Sequence, residues 1–165
     1  RAFDYFAGVS GAQLIVALSS LLFTFGVAWL LGFRSEGPIL AAIAVGAITS
    51  LGVIGVGLIV ASFAKNVTRA FLVANVAFIP MMFFSGAIYP LKKVELFRLG
   101  ERTIGLFDVI PTTHAVVALN KVHSLGEGLG AVAFELGSLA ILSLMYFAIG
   151  VILFQRFQLS PNRAR

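Results

Sequence analysis

Four long blocks without a charged residue constrain this chain more than any other feature. They cover residues 5–33, 37–64, 70–91 and 136–155. A helix of ~20 apolar residues crosses the ~30 Å hydrocarbon core of a bilayer, and each block is long enough to do so. Strands of a membrane β-barrel would be about half as long and would alternate apolar with polar residues, which these blocks do not. We therefore predict an all-α polytopic membrane protein with spans at about residues 12–31, 39–62, 70–88 and 131–154.

The composition agrees with a membrane location and argues against a nucleic-acid partner. Hydrophobic residues make up 59% of the chain, the mean hydropathy is +1.02 and only 12% of residues are charged, whereas soluble domains are roughly 45–50% apolar. The formal net charge of +5 comes from basic residues in short clusters between the blocks, as expected near lipid headgroups. Those basic residues divide evenly between the two faces, so charge alone does not orient the chain. Without cysteine there is no disulfide or thiolate metal site.

Small residues mark the second span as a packing helix. Small side chains let helix backbones approach closely in lipid, where packing holds helices together. The predicted helix-packing residues are Ala42, Gly46, Ser50, Gly52, Gly55 and Gly57. This pattern predicts that the second span is central in the bundle.

Residues 92–130 form a long polar insert before the last span. The stretch KKVELFRLGERTIGLF mixes charges with apolar residues, which is consistent with a short interfacial helix interrupted near Gly100. Pro111 then opens a second apolar segment, since proline is favoured at a first helical position. That segment is too short to span, so we expect it to enter the leaflet and return. Residues 92–122 are therefore predicted to be interfacial or re-entrant.

Several residues allow two interpretations. The opening RAFDYF is either an interfacial lead-in or the frayed start of the first span. Glu135 is either a proton or substrate contact or a charge favoured by the helix N-terminus. Four phenylalanines of the third span either line a substrate path or face lipid: Phe71, Phe78, Phe83 and Phe84.

A metal site is not favoured by the sequence. His114 and His123, with Asp108 and Glu127 nearby, fit no compact ligand motif. Capping and hydrogen bonding explain them better. We predict no metal ligand and no catalytic residue in this chain.

The order of motifs resembles the membrane domain of ABC-2 type ABC transporters. The resemblance is carried by FFSGAIYPL at the end of the third span, by IPTTHAVVALNKV after the broken segment and by a final span with a basic tail. In that family, SG-x-x-(F/Y)-P and (N/I/S)-P-x-(T/S)-(H/Y) elements flank two short re-entrant helices. The matching residues, which the resemblance implies to form an outer gate, are Ser85, Gly86, Tyr89, Pro90, Pro111, Thr113 and His114.

The resemblance also implies partners and a mechanism. The four spans look like the third to sixth of a six-span domain, so the chain is expected to be a piece lacking the first two spans and most of the coupling helix. The family implies a homo- or heterodimer in the plasma (inner) membrane, and ATP-driven export by alternating access. No GxxxxGK(S/T) phosphate loop occurs here, so ATP and Mg are expected on a partner ABC ATPase.

Two rival classes remain as alternatives. A fragment of an ion-coupled secondary transporter would also use broken helices, but it would be expected to bury ionisable residues in mid-span. An intramembrane enzyme would need a catalytic dyad at membrane depth. No His, Asp or Glu lies inside the predicted spans at mid-depth.

Overall fold

The computed structural model describes residues 2–89, 94–99 and 102–158. Four long helices and one short helix make up most of this part of the chain, joined by a small hairpin. The elements are α1 (Ala2–Leu30), α2 (Ile39–Phe63), α3 (Val67–Phe84), β1 (Glu95–Leu99), β2 (Arg102–Gly105), a 3-10 helix (Leu106–Val109), α4 (Pro111–Leu125) and α5 (Ala133–Gln158). Helices α1, α2, α3 and α5 are long and apolar enough to cross a membrane. The predicted all-α bundle with four spans is confirmed.

Helix α2 lies at the centre of the bundle and contacts every other helix. One third of its most apolar window is buried, whereas the corresponding windows of α1 and α3 bury nothing. The core joins α2, α4 and α5 and consists of Ala41, Ala42, Val45, Ala115, Ala118, Val122, Val132 and Leu139. Several small residues of α2 lie in close contact with neighbouring helices, and large apolar side chains of α1 and α3 are exposed.

Local sequence signals explain several helix ends. The side chain of Asn66 caps α3 by accepting a hydrogen bond from the backbone nitrogen of Arg69 at 2.8 Å. Pro111 is the first residue of α4, where its missing N–H costs no hydrogen bond. Gly126 ends α4 in the left-handed conformation at φ +67°. The opening residues belong to α1 itself, because that helix runs without a break from Ala2.

The predicted interfacial helix over residues 92–107 is wrong. Strands β1 and β2 pair antiparallel, with Arg98 opposite Thr103 and Leu99 opposite Arg102. The segment ELFRL has too few residues for a helix that is stable without tertiary support, whereas a hairpin pairs its backbone groups directly. Lys92, Lys93 and Gly100 lie outside the described residues.

Candidate functional site

The short helix α4 begins in the middle of the bundle. Because α1, α2 and α3 alternate in direction, residues 31–38 and the α3–α5 connection lie at one end, which we call the insert end. Residues 64–66 and Gln158 lie at the other, the tail end. A Cβ atom at Gly52 would be 2.7 Å from Ser143 Oγ and 3.4 Å from Pro111 Cβ. Gly52 lies ~20 Å along α2 from its insert-end start at ~1.5 Å per residue, so Pro111 is deep in the bundle.

The other end of α4 returns to the insert end. A Cβ atom at Gly37, in the loop between α1 and α2, would meet the carbonyl oxygen of Val122. The backbone nitrogen of Glu36 donates to the carbonyl of His123 at 3.3 Å. Helix α4 therefore runs from the middle of the bundle to the insert end.

Two side chains of the PTTH motif anchor the start of α4. Thr113 Oγ1 donates to the carbonyl of Phe107 at 2.8 Å. His114 Nε2 lies 2.9 Å from the carbonyl oxygen of Asp108 and donates to it. Asp108 Oδ2 in turn accepts from the backbone nitrogen of Gly105 at 2.9 Å. These bonds tie the first turn of α4 to backbone groups of the 3-10 helix, whose Phe107 carbonyl also accepts from the backbone nitrogen of Ile110 at 3.0 Å.

The other motif lies where α3 ends. Ser85 is 4% exposed; its hydroxyl donates to the carbonyl of Met82 at 2.9 Å and accepts from Ala87 N at 3.3 Å. Gly86 has φ +80°, a conformation that side chains rarely adopt. Tyr89 is exposed, and Pro90 lies outside the described residues.

A narrow seam joins the end of α3 to the start of α4. Thr112 Oγ1 lies 3.5 Å from the carbonyl oxygen of Met81. The rings of Phe84 and Phe107 stack with centroids 4.8 Å apart and planes at 5°. The two motifs thus lie on opposite sides of one contact. The contact itself is made by neighbouring residues that sequence reasoning did not assign to the gate.

His123 is a site residue whose role the sequence did not reveal. Its Nδ1 lies 2.8 Å from Ser35 Oγ, and its ring packs at 5.4 Å from Phe25 and 5.6 Å from Phe33. The single hydroxyl proton of Ser35 is donated to the carbonyl of Gly37 at 3.0 Å, so His123 Nδ1–H donates to Ser35 Oγ. Burial lowers the pKa of His123 below its ordinary value of 6.5. The neutral imidazole of His123 therefore links the end of α4 to the α1–α2 loop through its contact with Ser35.

Glu135 forms an ion pair instead of standing alone at the mouth of the last span. Its Oε1 lies 3.1 Å from Lys121 Nζ. Glu135 is in the first turn of α5 and is buried. Lys121 belongs to α4, so the pair connects α4 to α5.

The predicted packing residues divide into three groups. Ala42 is fully buried in the core. Gly46, Gly52 and Gly55 are close contacts, because added Cβ atoms would lie 2.5 Å from Leu21, 2.7 Å from Ser143 and 2.5 Å from Phe147 respectively. Ser50 and Gly57 instead border a cavity of about 670 Å³ between α1, α2 and Phe78.

The phenylalanines of α3 have different surroundings. Phe78 borders the cavity, and Phe84 stacks on Phe107 across the seam. Phe71 and Phe83 are exposed on the outer face of the helix. Among the described residues, no group of three His, Asp or Glu side chains is placed to hold a metal ion, and His114 and His123 lie at opposite ends of α4.

Comparisons with known proteins identify a matching family and a similar protein. Residues 1–123 match the model of the ABC-2 type transporter family. The chain is also similar to Nodulation protein J of Sinorhizobium fredii (strain NBRC 101917 / NGR234), at 28% identity over 135 residues, covering 81% of this chain and 49% of the relative. The chain thus spans about half the length of the curated relative it matches. No solved structure matches the chain significantly.

Proposed function

Because the chain belongs to the ABC-2 type transporter family, we propose that it is part of the membrane-spanning permease of an ATP-driven exporter. The family match, which covers residues 1–123, carries this proposal. The four apolar helices and the re-entrant α4 support it, because irregular backbone at membrane depth is tolerated only where protein or a cavity covers it. Export would proceed by alternating access, driven by differential affinity for two states of the permease.

In this proposal the seam between α3 and α4 is the outer gate. The helix break at Ser85 and Gly86 and the anchored start of α4 at Thr113 and His114 lie on its two sides. Among the described residues, the polar and aromatic contacts across it are the 3.5 Å approach of Thr112 to Met81 and the stack of Phe84 on Phe107. A boundary with so few polar contacts separates at low cost compared with the close α2–α5 packing.

The remaining parts of the transporter belong to other polypeptide segments. The sequence contains no GxxxxGK(S/T) phosphate loop, so ATP and Mg would bind to a partner ATPase. The working unit would be a dimer of permeases, alike or different, in the plasma (inner) membrane. The first two spans and the coupling helix would precede the four spans described here.

The test is reconstitution of the full-length protein with an ATPase subunit of its own genome. We expect the two to co-purify and to show vanadate-sensitive ATP hydrolysis only together. Replacing the phosphate-loop lysine of the ATPase should abolish hydrolysis and transport while leaving the complex intact. Transport that is active without any ATPase would contradict the proposal and favour the ion-coupled alternative.

A further inference from the structure

An ion pair with a buried carboxylate joins the re-entrant helix to the last span. Lys121 Nζ lies 3.1 Å from Glu135 Oε1. Glu135 is only 7% exposed, and its second oxygen, Oε2, is buried without a hydrogen-bond partner among the described residues. Lys121 is therefore the counterion that makes this buried carboxylate tolerable. The N-terminus of α5 adds a favourable field, since Glu135 is in its first turn.

This pair adds a charged, directional interaction to an α4–α5 contact that also contains the edge-to-face rings of His114 and Phe134, 6.3 Å apart. The core residues around it, including Ala118, Val122 and Leu139, are aliphatic. Apolar contacts are non-directional, so such surfaces can slide or separate without leaving a defined polar group unsatisfied. Moving α4 away from α5 would leave the buried carboxylate of Glu135 without its counterion, which is unfavourable.

On the side of α4 that faces α3, the described residues form no ion pair comparable to Lys121–Glu135. Thr112 Oγ1 is 3.5 Å from the Met81 carbonyl, at the long limit for a hydrogen bond. Phe84 remains partly exposed although it stacks on Phe107. Helix α3 itself buries no residue. The two sides of α4 are thus unequal, with a firm contact to α5 and a loose one to α3.

We propose that Lys121 and Glu135 are positioning residues that hold α4 on α2 and α5, so that the gate opens along the α3–α4 seam. This proposal rests on the proposed function. The pair touches no cargo; it acts by keeping the anchored start of α4 in register with the end of α3. When α3 moves, α4 stays with the central helices.

The test uses thiol labelling in the full-length protein, in membranes and in a background without other cysteines. Ala118→Cys places a reporter on the fully buried face of α4, and Ser62→Cys places a control under the tail end of α5. The probe is N-ethylmaleimide. We expect Lys121→Met and Glu135→Gln to raise the labelling rate of the reporter about tenfold, because each variant removes the charge pairing of a buried carboxylate across the α4–α5 contact. The control rate should not change.

The exchanged pair Lys121→Glu with Glu135→Lys separates positioning from general stability. It should return the reporter rate most of the way to that of the parent, although lysine at the start of α5 is less favourable. An unchanged reporter in the single variants, no recovery in the exchange, or an equal rise of reporter and control would each overturn the proposal. ATP-dependent transport by the parent is measured separately, so loss of the proposed function is distinguishable from a failure of this positioning role.

Discussion

Two glycines of α2 show how differently one residue type can act along the same helix. A Cβ atom at Gly55 would lie 2.5 Å from the backbone nitrogen of Phe147, whereas one at Gly57 would have no atom within 4 Å. The backbone of α5 cannot yield as the end of a flexible side chain can. Gly55 is therefore required by close approach, and Gly57 is not.

This contrast predicts opposite effects of the same substitution. Gly55→Ala should lower the free energy of unfolding by ~1–3 kcal/mol, because overpacking forces the helices apart. Gly57→Ala should leave it unchanged or raise it by up to ~1 kcal/mol through better helix propensity. Chemical unfolding in detergent measures both. Equal destabilisation by the two variants would show that α2 and α5 do not pack as described.

His123 predicts a dependence of stability on pH. Its pKa is lowered by burial in the folded protein, so the unfolded chain binds more protons in acid. The stability associated with the neutral ring is complete above the ordinary pKa of 6.5 and is lost as the pH falls below it.

We expect the parent to lose stability between about pH 7 and pH 5 at the His123 contact. His123→Asn, which keeps an amide donor near Ser35 and does not titrate, should lose less. Thermal unfolding at the two pH values compares them. An identical pH dependence in the variant would rule out His123 as the titrating group.

At the scale of the element, helix α4 depends on contacts at its two ends more than on its own tendency to form a helix. Its 15 residues are marginal for an isolated helix in water. Thr113, His114 and Pro111 hold the start, and His123 and Gly126 hold the end. The sequence predicted the proline start and the inability to span, but the carbonyl partners at Phe107 and Asp108 depend on a 3-10 helix that no pattern indicated.

The anchor at Thr113 can be tested with a matched pair of variants. Thr113→Val removes one of the two hydrogen bonds to the Phe107 carbonyl and should cost ~0.5–1.5 kcal/mol of stability, because the backbone nitrogen of Ile110 still donates to that oxygen at 3.0 Å. Thr113→Ser keeps the hydroxyl and should cost less. The midpoint of unfolding in detergent is the measurement. A larger loss in the serine variant would show that the methyl contact matters more than the hydrogen bond.

The hairpin of β1 and β2 is an element that the local sequence pattern did not predict. Charges beside apolar residues in ELFRL fit an interfacial helix and a strand about equally well. The choice depends on whether a partner strand is near in space, and RTIG supplies one. Long uniform blocks do not have this ambiguity, which is why all four spans were predicted correctly and this short segment was not.

At the scale of the whole molecule, sidedness is the central prediction. Leu125, at the insert end, and Val67, at the tail end, are both well exposed. If the insert end faces outward, the thiol of Leu125→Cys should react with a membrane-impermeant maleimide in intact cells. The thiol of Val67→Cys should react only after the membrane is opened. The reverse pattern would place the proposed gate on the ATPase side and refute it.

The sequence by itself determined the membrane class, the four spans, the family resemblance and the importance of small residues in α2. These follow from length, hydropathy and short motifs, because hydrocarbon imposes the same demand on every spanning segment. Only the tertiary structure decided which small residues touch α5, which partners hold Thr113 and His114, and that Lys121 pairs with Glu135. Such contacts depend on the distances between segments far apart in the chain, and no local pattern contains that information.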